Sequence, residues 1–280
     1  MEIRLLGAVE AYADGVALPL GGPRQRAVLA DLALHAGQLV AAGRLIDDLW
    51  GGRPPISARH TLETYVSRLR HVLNASGGLL VTRPGGYLLD VAPGCVDACQ
   101  FRDLVARGSG ARDHGDVPAA VTLLGSAVKL WRGPALADVQ DAPFAVLAGQ
   151  QLEEERLTAS EKLVEARLAL GQHRELVPEL EALIADSPYR EGFHAQLMLA
   201  LYRSGRQAEA LAAFGRARDL LAGELGIEPG RKLRRLHRAV LLQAPELEPD
   251  GGTARSAPRP VAAPVSGPSD QRLPAPGSLP

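Results

Sequence analysis

Residues 57–89 read SARHTLETYVSRLRHVLNASGGLLVTRPGGYLL, and the change of period inside this stretch decides the fold. Leu62, Val66, Leu69 and Leu73 fall 4, 3 and 4 apart, which is the spacing of one buried helix face. Ser57 stands where a cap belongs, so the pattern predicts a helix from there to about Asn74. His60, Thr64, Ser67, Arg68 and His71 form its other face, with Tyr65 and Arg70 at the margins. Leu79–Arg83 and Tyr87–Leu89 are β-rich runs around Pro84-Gly85-Gly86, which is a hairpin. The stretch is therefore a polar-faced helix followed by a hairpin.

Upstream residues complete that unit. Arg53-Pro54-Pro55-Ile56 is a rigid connection, because neither proline can continue a helix. Before it, Leu45, Ile46, Leu49 and Trp50 give a short helix over Ala42–Trp50, stopped by Gly51-Gly52. Pro23 suits the first position of an earlier helix, whose apolar residues Val28, Leu29, Leu32 and Leu34 end before Gly37. Residues 1–21 alternate instead, with Asp14-Gly15 as a turn, which predicts a short antiparallel sheet.

Downstream, about Phe101 to Leu247 reads as helix throughout. Gly171, Leu176, Leu180 and Leu183 recur 34 residues later as Gly205, Ala210, Phe214 and Ala217, and Gly115, Ala120, Leu124 and Ala127 make a third copy. A period of 34 is the tetratricopeptide period, in which each helical hairpin covers the exposed face of the next. The wider gap between Gly115 and Gly171 leaves room for one more helix over Gln150–Leu170. Residues 249–280 hold eight prolines and four glycines without apolar periodicity, so they read as a linker or disordered tail. The expected fold is therefore mostly α with a small β component. A winged helix-turn-helix over 1–92 precedes a tetratricopeptide-like all-α domain over 93–248, and the first segment is expected to fold alone.

Composition excludes several classes of function. Two cysteines in 280 residues cannot staple a secreted scaffold, and no apolar run approaches the roughly 18 residues of a membrane span. The first residues lack a signal-peptide pattern, so a cytoplasmic, nucleoid-associated protein with no membrane contact is expected. Net charge is −1, so nucleic-acid binding must rest on one face rather than on the whole surface. All nine basic residues of segment 1–92 are Arg, which suits bidentate contacts to bases and phosphates. Cys95 and Cys99 stand alone, the histidines form no metal-binding spacing, and Gly21-Gly22-Pro23-Arg24 is not a phosphate loop. No catalytic grouping, metal site or cofactor site is expected, so the chain does not read as an enzyme.

Specific motifs carry a resemblance. ETYVSRLRHVL resembles the recognition helix of OmpR-type winged helices, and FGRARDLLAGELGIEPGRKLRRLHRAVL resembles the bacterial transcriptional activation domain. With GGPRQRAVLADLALHAG and LWGGRPPISARHTLETYVSRLR, the chain from residue 1 to about 248 is similar to the Streptomyces antibiotic regulatory protein family. The resemblance implies an activator of a secondary-metabolite (antibiotic) gene cluster. Its implied partners are double-stranded DNA carrying direct repeats, RNA polymerase with its primary sigma factor, and a second copy on DNA. No receiver domain is expected before the winged helix, and hence no aspartyl-phosphate switch. The competing reading is a tetratricopeptide-type interaction adaptor whose winged helix does not read DNA.

Arg68 leads as base reader, because a guanidinium can take guanine in two hydrogen bonds. Thr64, one turn earlier, can offer its methyl to thymine, and the resemblance adds Glu63 near bases. The resemblance also implies that His60, Tyr65, Ser67, Arg70 and Thr82 meet phosphates, and Arg83 stands where a wing enters the minor groove. Arg24 and Arg26 are secondary candidates that could equally pair with Asp47 or Asp48. Trp50 and Tyr87 read as packing residues. The run Arg231–Arg238 reads as the outer side of a terminal helix that buries Leu233, Leu236, Val240 and Leu241.

Overall fold

The computed structural model describes residues 1–73 and 79–247. Asn74, the expected end of the third helix, and the tail 249–280 lie outside the described residues. The chain opens with a three-stranded antiparallel sheet of β1 (Glu2–Arg4), β2 (Glu10–Ala13) and β3 (Val16–Ala17). Asp14 (φ 50°) and Gly15 (φ 80°) turn β2 into β3, the left-handed pair that a two-residue hairpin needs. Helix α1 (Pro23–Leu34) starts at its proline and buries Val28, Leu29 and Leu32.

One strand was not legible. β4 (Leu39–Ala41) is three residues with only Val40 facing inward, too short to show a period. It precedes α2 (Ala42–Trp50) and α3 (Ala58–Leu73), which buries Leu62, Val66, Leu69 and Leu73 as their spacing requires. The hairpin of β5 (Leu80–Arg83) and β6 (Gly86–Leu89) then closes on β4 in the order β4-β6-β5. Three helices and this sheet make a winged helix.

The helical half runs through α4 (Asp97–Asp113), α5 (Val117–Lys129), α6 (Pro143–Ala169), α7 (His173–Asp186), α8 (Glu191–Arg203), α9 (Gln207–Leu220) and α10 (Arg231–Leu241). The period glycines Gly115, Gly171 and Gly205 sit between consecutive helices with φ of 81°, 81° and 78°. A residue with a Cβ is strained there, which is why the repeat keeps glycine. The expected extra helix is present as α6, but it begins seven residues before Gln150.

Residues 130–142, between α5 and α6, are not a helix. They bond to the N-terminal segment: the Arg132 and Leu136 amides donate to the Leu6 and Leu5 carbonyls, each at 2.9 Å. From the start of α4, buried Asp97 accepts the Leu5 amide at 2.7 Å and the Leu6 amide at 3.1 Å. One apolar core consequently runs from Ile3 through Leu29, Leu62 and Phe101 to Ala159, and a second runs from Val164 to Leu247. The first core crosses position 92. We keep 1–92 and 93–248 as proposed functional modules, but the two share packing that the sequence reading had assigned to each alone.

Asp31 is the costly group in that core. Its side chain is 1% exposed on α1, with Oδ2 unpartnered and Oδ1 3.3 Å from His35 Nδ1. Burial first, then the neighbouring Asp48, push its pKa up to about 7, against the opposing pull of Arg44. The folded chain therefore holds this proton up to about pH 7, whereas the unfolded chain releases it near pH 4. Stability from the neutral acid is complete below pH 4 and is lost as pH rises through 7. Asp31→Asn should flatten that loss and be the more stable protein at pH 8, by a few kcal/mol in order of magnitude. Urea titrations of both proteins at pH 5 and pH 8 measure it; parallel pH profiles would contradict it.

Candidate nucleic-acid interface

Burying Leu62, Val66, Leu69 and Leu73 leaves the opposite side of α3 in solvent. His60, Glu63, Ser67 and Arg68 are exposed there, and Thr64, Tyr65 and Arg70 are half-buried. Arg68 has no hydrogen-bond, ion-pair or ring partner among the described residues. Its five donors are free for a ligand. Thr64 donates its hydroxyl to the His60 carbonyl at 3.0 Å. Glu63 lies 3.7 Å from Arg59, an exposed cation of the first turn that the sequence reading passed over. The signal for it was the (i, i+4) spacing to Glu63.

Arg70 also holds the wing. Its Nε donates to the Leu80 carbonyl at 3.0 Å and its Nη2 to Thr82 Oγ1 at 2.7 Å. One guanidinium thus ties the helix to β5 of the wing, and Thr82 is an anchor for it. The exposed Arg83 follows at the tip, beside Pro84 and Gly85. Arg70→Ala should weaken binding to operator and random DNA alike, and should cost about 1 kcal/mol of stability. Arg70→Lys should not restore either, because a point-charge ammonium cannot span both acceptors. Full rescue of DNA affinity by lysine would make Arg70 a phosphate contact instead.

The secondary candidates separate. Arg26 turns toward the helical half, pairing with Asp138 at 2.7 Å and donating to the Gly21 carbonyl at 2.9 Å. Among the described residues it forms no ion pair with Asp47 or Asp48, and Asp48 pairs with Arg44 at 3.2 Å. Arg24 is exposed and lies over the Trp50 ring, 5.6 Å from its centroid. Tyr87 is buried at the β4–β6 pairing, and burial raises its pKa. Cys95 and Cys99 are free and half-buried. Among the described residues no group of three His, Cys, Asp or Glu side chains is placed to hold a metal. No helix among them is long and apolar enough to cross a membrane.

Arg68, without a partner among the described residues, thus projects from a helix that is tied to its wing, and comparison with known proteins gives the same architecture. Residues 19–89 match the transcriptional regulatory protein C-terminal family, and residues 96–241 match the bacterial transcriptional activator domain. Regulatory protein DnrI of Streptomyces peucetius is 39% identical over 260 residues, covering 90% of this chain and 96% of that protein. The chain belongs to the Streptomyces antibiotic regulatory protein family. Regulatory protein AfsR of Streptomyces coelicolor is 44% identical over 259 residues, and there the chain spans 92% of itself but only 26% of AfsR. Among solved structures, Mycobacterium tuberculosis EmbR, in complex with a low affinity phosphopeptide, superposes with a TM-score of 0.85 at 37% identity. That match covers 87% of this chain and 65% of the EmbR chain. The family places the chain among transcription regulators, with a winged helix followed by an all-helical domain, and its descriptions name no enzyme.

Proposed function

We propose that this protein is a cytoplasmic, nucleoid-associated activator of an antibiotic gene cluster. It binds direct repeats beside promoters through α3 and the β5–β6 wing, and recruits RNA polymerase through its primary sigma factor. The observation that carries the reading is Arg68, exposed on the outer face of α3 and without a partner among the described residues, beside a wing held by Arg70. Arg68 reads a base edge, with Thr64 and Glu63 beside it. His60, Tyr65 and Ser67 meet the backbone, Arg83 enters the minor groove, and Arg24 is a further cation at the rim.

One winged helix covers one short site, which is weak against a genomic background. Two copies on adjacent direct repeats add their contacts, so the protein is expected to be a monomer in solution and to pair on DNA. Footprinting on the promoters adjoining its own gene, with and without RNA polymerase, tests the proposal. Two repeats should fill cooperatively, and polymerase should extend the protected region. Independent filling would remove the pairing. Absence of any protected repeat would favour the adaptor reading.

A further inference from the structure

The last helix does not close flush against its neighbours. α10 is pinned at both ends: the Gly230 amide donates to the Glu191 carboxylate at 2.7 Å, and Gln207 Nε2 donates to the Val240 carbonyl at 2.9 Å. Past its end, Arg203 Nε donates to the Leu247 carbonyl at 2.7 Å. Between those ties, α6, α8 and α10 frame a hollow of about 630 Å³. Leu168 of α6, Ala195 and Leu199 of α8, and Leu236 and Ala239 of α10 line it. Leu241 was expected inside but is 53% exposed, and Leu242 stands at the edge of the hollow instead.

Packed interiors leave few voids larger than a water molecule, and helices free to slide would close this one. The ties keep α10 in place, and two alanines supply room that longer side chains would fill. The volume is that of a pocket for a drug-sized molecule, about 300–1,000 Å³. Its polar groups are few. Gln196 lines the hollow from α8 and is 7% exposed. Its Nε2 donates to the Glu161 carbonyl at 2.8 Å, while its Oε1 has no partner among the described residues. A buried acceptor in that state costs stability until a donor meets it. On the α10 side Lys232, Arg235 and Arg238 line the hollow, and none has a partner among the described residues. The glutamates of the α6 wall are taken, Glu161 by Arg190 and Glu165 by Arg112. Glu246 is unpaired too, in the turn past α10, so three free cations face one free acid.

We infer that this hollow binds a small amphipathic organic acid. Its apolar body lies against the leucines and alanines, its carboxylate meets Lys232 and Arg235, and a hydroxyl donates to Gln196 Oε1. An apolar guest without the acid leaves the cations unused, and one without the hydroxyl leaves Gln196 unsatisfied. The site belongs to the helical half alone and needs neither DNA nor a protein partner to fill it.

The probe is ω-hydroxydodecanoate, titrated calorimetrically against the full chain, with dodecanoate and dodecanediol as compounds that each lack one group. One molecule should bind per chain, and each comparison compound should bind at least tenfold more weakly. Gln196→Leu should remove the preference for the hydroxyl, and Lys232→Ala with Arg235→Ala the preference for the carboxylate. Ala239→Leu should weaken binding at least tenfold without lowering the melting temperature, because it fills empty space. Absence of saturable binding overturns the inference, and so does equal affinity for all three compounds, which marks adsorption to apolar surface. A hydroxyl preference unchanged in Gln196→Leu, or a carboxylate preference unchanged in the double alanine variant, overturns it too. A melting temperature lowered by Ala239→Leu would show the space to be packed already, against the inference. A dimer in sedimentation that Ala239→Leu dissociates would make a second copy the occupant. Tenfold tighter probe binding after deletion of residues 250–280 would make that tail the occupant. Either result replaces the organic acid.

Discussion

A fragment ending at Ala92 is expected to lose cooperative unfolding, although it contains every element of the winged helix. Ile3, Leu5 and Leu6 are fully buried, in the core that also holds Val96, Phe101 and Leu136. Truncation exposes all three, at about 1.5–3 kcal/mol each. It also strips Asp97 from two amides and residues 132–137 from three carbonyls of the Leu5–Gly7 segment. Losses of that size rival the whole stability of a small domain, about 5–15 kcal/mol. A fragment of residues 1–170 keeps the first core and should unfold in one transition. Urea denaturation of the two fragments decides it: a cooperative transition in 1–92 as stable as that of 1–170 would show that the shared core contributes little.

Gly86→Ala is expected to cost about 3 kcal/mol, at the upper end of overpacking, and to abolish binding to any duplex. Gly86 opens β6 and lies opposite Ala41 of β4 and Arg83 of β5. A Cβ there would collide with the Val40 carbonyl, which is backbone in a paired strand and cannot step aside. The wing or β4 has to move, and the wing carries both the Arg70 tether and Arg83. The neighbouring Gly85→Ala is the internal control. Gly85 has a φ of 87° but open space around it, so its alanine should cost only about 1–2 kcal/mol of left-handed strain. Thermal melts of the two variants compare clash with strain, and an equal, small loss in both would mean that β4 does not press on the wing.

What the sequence made legible were elements with a full period. The apolar spacing of α3, the proline at the start of α1 and the 34-residue recurrence of Gly115, Gly171 and Gly205 each state a local conformation directly. β4 was hidden because three residues define no period. The docking of residues 130–142 was hidden because its buried Leu136 and Val139 show no period, and the backbone amides that bond to Leu5 and Leu6 look alike in any sequence. The candidate site divides the same way. Exposure of Arg68 follows from the helix period, so it could be read in advance. The tethering of Arg70 to Leu80 and Thr82, and the turn of Arg26 toward Asp138, depend on how distant segments meet. A margin position on a helical wheel does not say whether its side chain reaches outward to a phosphate or inward to a neighbouring strand.

The central claim is that the outer face of α3 reads sequence. Affinities of the unaltered chain and of Arg68→Ala are to be measured on a footprinted repeat and on a random duplex of equal length, at one salt concentration. The account predicts a loss of about 1–3 kcal/mol on the repeat and a much smaller loss on the random duplex, because a base contact is removed and phosphate contacts stay. Equal losses on both duplexes would contradict it.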